Sequence, residues 1–177
     1  AVALGWAVGG LIGLGFLGRG RRLAVAAGIG HVLLAYAVLA VGLLGWLGLP
    51  AIAVIVVGAL LVGRRSLRPI VGCVSYGIVR VTSALRRSPG RAFYVFLVLW
   101  AGATLLGALA PSDSRDWDGL SEHLTQAKTY LRHGRVEPLW YDHHSQFPNT
   151  LAMLYCVGLA LGGQGGAKLF HWGFAVL

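Results

Sequence analysis

The run LAVAAGIGHVLLAYAVLAVGLLGWLGLPAIAVIVVGALLVG, Leu23 to Gly63, holds 41 residues without one charged side chain. A helix crossing the hydrocarbon core of a bilayer needs about 20 apolar residues, so this run holds two spans and a turn. Gly45, Gly48 and Pro50 stand where that turn is required, and they are residue types that end and restart helices. This reading sets the fold class as all-α, a polytopic transmembrane helical bundle embedded in a lipid bilayer. His31 lies inside the run; hydrogen-bonded, neutral packing is expected of it, although intramembrane histidines often mark function.

Composition agrees. Hydrophobic residues make up 56% of the chain and charged residues 12%, against about a quarter charged in soluble domains. The formal charge of +9 would point to nucleic acid in a soluble protein, but no nucleic acid is expected here. The arginines stand in clusters between apolar spans, without interleaved aromatics, and so read as topology signals under the positive-inside rule. Cys73 and Cys156 read as packing residues, with neither a disulfide nor a metal expected from them.

Outward from the opening run, Ala1 to Gly18 is apolar and glycine-rich, ends at Arg19, Arg21 and Arg22, and reads as a first span. Arg64 to Arg91 carries seven arginines and no acid, a cytoplasmic basic loop. Within it Ile70, Val71, Val74, Ile78, Val81 and Leu85 fall within an arc of about 100° at helical periodicity, with Arg80 and Arg87 opposite. That is the pattern of a helix lying in the membrane interface, or of a short helix packed on the protein. Ala92 to Ala110 is the clearest span. With arginines before it and acids after it, it runs from inside to outside. The chain starts without methionine and stops inside an apolar run, which reads as a piece of something longer. Its expected organisation is an N-terminal transmembrane region over 1–110, an external loop over 111–148, and the start of further transmembrane helices over 149–177.

That loop, PSDSRDWDGLSEHLTQAKTYLRHGRVEPLWYDHHSQFP, contains all six acidic residues of the protein and four of its six histidines, while the first 110 residues carry ten arginines and no carboxylate. Leu120, Leu124, Ala127 and Leu131 recur at spacings of four, three and four, with Gly134 placed to stop the helix and Asp118 at its N-cap. The pattern predicts an external amphipathic juxtamembrane helix, apolar stripe against the membrane surface, with Glu122, Lys128, Arg132 and Arg135 on other faces. Beyond the loop, Thr150 to Leu161 is only 12 residues long and precedes Gly162, Gly163, Gln164, Gly165 and Gly166. A short or re-entrant helix fits that length.

The run WDGLSEHLTQAKTYLRHGRVEPLWYDHHSQFPNTLAMLYCVGLALGG, followed by AKLFH, resembles the first external loop and next span of C-fold membrane glycosyltransferases. Within that superfamily it is similar to the group using polyprenyl-phosphate sugars, which includes protein mannosyltransferases and aminoarabinose transferases. Asp118, the helix to His133 with Gly134, and Phe147-Pro148 match the family's order of aspartate, juxtamembrane helix, glycine stop and proline entry. The chain departs in two places: Gly119 stands where an acid often follows the aspartate, and about four apolar segments precede the loop.

The resemblance implies an enzyme of inverting type, the bacterial inner membrane as its location, and transfer of a sugar from a polyprenyl-phosphate donor to a glycan, lipid or protein acceptor outside. Asp118, or Asp116, is then the general base. Lys128, Arg132 and Arg135 would hold the donor phosphate, and His143 and His144 the phosphate or the acceptor. Glu122 and His123 complete the implied substrate-binding set. No cofactor is firmly expected. A divalent metal on the phosphate is the alternative, with Asp142 and His143 as the nearest ligands, although the spacing matches no structural zinc pattern. On plainer readings Asp118 is a cap and the basic trio a solvated face. Competing functions are a transporter or flippase of envelope lipids, and a non-catalytic membrane scaffold.

Overall fold

The computed structural model describes residues 1–112, 123–142, 145 and 150–176. Among these the chain is helical, with no strand: α1 (Val2–Leu11), α2 (Arg19–Leu43), α3 (Leu49–Gly63), α4 (Leu67–Arg87), α5 (Arg91–Leu109), α6 (Leu124–His133) and α7 (Thr150–Val176). Four helical runs are long and apolar enough to cross a membrane: Arg19–Leu43, Leu49–Arg87, Arg91–Leu109 and Thr150–Val176.

The charge-free run folds as its composition requires. α2 stops where Gly45 takes a positive φ of 78°. The N–H groups of Gly45 and Trp46 then reach back to the carbonyls of Gly42 and Val41 at 3.2 and 3.1 Å, closing the last turn without a Cβ penalty. Gly48 is extended and Pro50 sits in the first turn of α3, where its missing N–H costs no bond. His31 is taken up by packing: its Nδ1–H donates to the Ala27 carbonyl at 2.7 Å and its ring meets Phe170 and Phe174 at 5.7 and 4.7 Å.

The apolar start forms α1, which ends at Leu11, and Gly13 then turns the chain at φ 79°. α1 packs on α2 with the Arg22 guanidinium 4.4 Å over the Trp6 ring. Within the basic segment after Gly63 the helix expected over Ile70 to Leu85 is part of α4, and one 3-10 turn, Arg64–Ser66, carries helical backbone into it from α3, since arginine is a good helix former and Pro69 falls within the first turn.

One expectation is corrected, that for α6. The stripe expected against the membrane surface packs on protein instead. Leu124, Ala127 and Tyr130 are buried with Leu34 and Val38 of α2, Ile52 of α3 and Met153, Leu154 and Cys156 of α7 in one hydrophobic core. Ala127 is small enough for the Cys156 thiol to lie 3.7 Å from its carbonyl oxygen. Cys73 and Cys156 are both free thiols.

α7 is long enough to span yet is folded on itself. Gly162 and Gly163 leave helical φ/ψ, Gly163 at φ 63°. The two arms, 150–161 and 164–176, then run antiparallel, because the Tyr155 hydroxyl lies 3.0 Å from His171 Nδ1. In an unbroken helix those sixteen positions would be about 24 Å apart. The first arm, about 18 Å, is shorter than a bilayer core, the length that the twelve-residue apolar run predicts. The second arm is stitched to α5 by residues four apart. Gln164 accepts from Ser112 N–H at 3.4 Å, Lys168 Nζ donates to Ala110 O at 2.5 Å, and Trp172 Nε1–H donates to Ala101 O at 3.1 Å. Lys168 thereby places a cation on the last carbonyls of α5, where the helix dipole favours it.

Candidate functional site

The described part of the polar segment is built on α6, which the core fixes from below and two backbone bonds fix at its end. Gly134 takes φ 69°, stopping the helix where the sequence predicts. Leu47 N–H then donates to Gly134 O at 2.7 Å, and Val136 N–H to Gly42 O at 2.9 Å. α6 is thus tied to the α2–α3 turn. Arg19 stands at the other end of α2, whose 25 residues extend about 37 Å.

Lys128 and Arg132, one turn apart, are exposed on the outer face of α6, and among the described residues neither has an ion-pair partner. Arg135 differs. Its Nε–H is 2.6 Å from Glu137 Oε2, and His133 Nδ1 is 2.6 Å from Glu137 Oε1. The His133 hydrogen bond, reinforced by the charge of Arg135, holds the Glu137 carboxyl below its ordinary range. Of the expected basic trio, two cations therefore face outward uncommitted and the third is shared with a carboxylate.

His123, at the head of α6, is exposed and turned away from Lys128. Its ring stands edge-on to Tyr155 at 6.2 Å, and the Tyr155 hydroxyl in turn bonds His171. Two imidazoles thus flank one phenol, that of Tyr155, which links α6 to the second arm of α7. Asp142 is buried, with its Oδ2 accepting from Gln126 Nε2 at 2.6 Å. The turn carrying it is closed by Ser145, whose Oγ accepts from Leu139 N–H at 2.8 Å and donates to Asp142 O at 2.7 Å.

Asp116, Asp118, Glu122, His143 and His144 lie outside the described residues, as does the predicted N-cap. Among the described residues, no three His, Cys, Asp or Glu side chains gather to hold a metal ion, and Asp142 is engaged with Gln126 within the core.

Sequence reasoning missed Gln126, Tyr155 and His171. Gln126 carries only a weak signal, since at 100° per residue it falls about 40° outside the arc of Leu124, Ala127 and Tyr130, a polar residue at the edge of a stripe destined for burial. The other two carry no local signal, because they meet only through the reversal at Gly162 and Gly163. No protein-family model matches the chain, and neither a curated protein nor a solved structure matches it.

Proposed function

We propose that this protein is a membrane glycosyltransferase that moves a sugar from a polyprenyl-phosphate donor to an acceptor at the outer face of a bacterial cell membrane, with residues 111–148 as its catalytic loop. One observation carries the reading. Every carboxylate of the chain is gathered in this loop, and the loop's helix is anchored in the core of a bundle of membrane-length helices with Lys128 and Arg132 facing outward. A donor whose lipid stays in the bilayer while its sugar phosphate reaches water calls for acid-base groups and cations together at that boundary.

In the reaction the acceptor oxygen attacks the anomeric carbon and the bond from that carbon to the phosphate oxygen breaks. The electron pair leaves with polyprenyl phosphate. Asp118, with Asp116 as the neighbouring candidate, takes the acceptor proton as the new bond forms. Lys128 and Arg132 neutralise the charge that grows on the departing phosphate. His123 contacts the sugar or acceptor from the Tyr155 side, joined by His143, His144 and Glu122. A single displacement inverts the anomeric centre.

The test supplies polyprenyl phosphate carrying a radiolabelled sugar to membranes containing the full-length protein. Label appearing on an acceptor in step with free polyprenyl phosphate supports transfer. Label that stays on its lipid while the lipid changes leaflet would identify a transporter instead.

A further inference from the structure

The arginines at the far end of α2 from Gly134 form a concave surface that the transfer reaction does not use. α4 meets the start of α2 so that the Arg19 guanidinium lies 5.2 Å and the Arg80 guanidinium 5.7 Å from the centroid of one ring, that of Tyr76. Gly18, Arg19, Gly20, Arg21, Tyr76 and Arg80 line an open groove of about 680 Å³. It continues along α4 past Ser83 and Arg87.

Converging guanidiniums repel one another unless an anion lies between them. The first 110 residues contain no carboxylate that could serve, and the described acids, Glu137 and Asp142, are paired elsewhere. Among the described residues none supplies the counter-charge, which points to another molecule. What kind of molecule is indicated by the other side of the same helix, where Val71, Val74 and Ile78 are 63, 46 and 59% exposed. An apolar arc opposite an arginine face is the profile of a helix seated at the boundary between acyl chains and headgroups. Guanidinium pairs suit phosphate oxygens.

We propose that this groove binds the phosphate of an anionic phospholipid headgroup, with Arg19, Arg21 and Arg80 as its cations, Tyr76 as the platform that orders two of them, and the apolar arc of α4 resting on the acyl chains. Bound lipid would hold α4 against the start of α2 and fix which leaflet this end occupies. The site is separate from the proposed catalytic loop and does not depend on it.

Native mass spectrometry of the full-length protein in detergent, titrated with phosphatidylglycerol or phosphatidylcholine, tests the site. Removing an arginine near a membrane surface weakens anionic-lipid binding about fivefold, so R19Q/R80Q should weaken phosphatidylglycerol binding about 25-fold and leave phosphatidylcholine unchanged. R64Q/R65Q removes the same charge outside the groove and should have a smaller effect. Equal loss in both double variants would mean diffuse charge rather than a site and would overturn the proposal, as would unchanged binding in R19Q/R80Q. Displacement of the lipid by millimolar inorganic phosphate would reassign the groove to a soluble anion.

Discussion

The side-chain amide of Gln126 donates a 2.6 Å hydrogen bond to the carboxylate of Asp142, sixteen residues further on, and both side chains are buried. This bond fastens the turn that carries Asp142 to the first half of α6.

Gln126→Glu keeps the shape and replaces the donor with a second carboxylate. Two carboxylates in contact cannot both ionise, so one must take up a proton with its pKa raised. A raised folded-state pKa gives stability that is present at low pH and lost as pH rises. The variant should therefore melt lower than wild type at pH 7.5, by roughly 3 kcal/mol or several degrees, and recover much of the difference near pH 5. Thermal melts at both pH values check this, and a deficit independent of pH would contradict it.

Glu137 makes the opposite case. His133 and Arg135 hold its carboxyl below its ordinary value of 4.5. A depressed folded-state pKa gives stability that is present above the unfolded value and lost as pH falls through the folded one. Glu137→Gln should melt slightly lower than wild type at pH 7 and converge with it as pH falls below about 4.5, a small difference because the pair is exposed. An unchanged acid limb would contradict the pairing.

The hairpin of α7 depends on Gly158. A Cβ there would lie 2.4 Å from Ala167 Cα, whereas one at Gly165 would meet nothing closer than 4.0 Å. Gly158→Leu should force the arms apart and cost about 2–3 kcal/mol or more, and Gly165→Ala should be tolerated. Melting temperature and the yield of folded protein separate the two. Equal behaviour would mean that the arms do not pack as described.

K128Q/R132Q tests the outward face of α6. If these cations hold the donor phosphate, KM for the polyprenyl-phosphate sugar should rise about tenfold or more, the worth of one or two charge-assisted bonds. Melting temperature should stay near wild type, because both residues are exposed. An unchanged KM would make them a solvated face.

What could be read from the sequence was local. Two helices separated by Gly45, Gly48 and Pro50, the span ending at Leu109 and the stop at Gly134 follow from hydropathy and backbone preference within a few residues. The failures are tertiary. Nothing near Leu124 or Ala127 says whether an apolar stripe meets lipid or protein; that was decided by Met153, Leu154 and Cys156 arriving from α7. The glycines at 162–166 announce an interruption, but the reversal needs the close approach of Gly158 and Ala167. The candidate site divides in the same way. Lys128 and Arg132 lie on the outer face that helical spacing gives them, while the contact of Tyr155 with His171 depends on the hairpin.

The most direct measurement is sugar transfer from radiolabelled polyprenyl phosphate by membranes containing the full-length protein, comparing wild type with Asp118→Asn and Asp116→Asn at matched expression. A general base contributes about 10²–10⁴ in rate. Asp118→Asn should therefore lower product formation at least a hundredfold, with Asp116→Asn retaining most of it. Equal activity in all three would contradict a catalytic aspartate in this loop and the transferase reading with it.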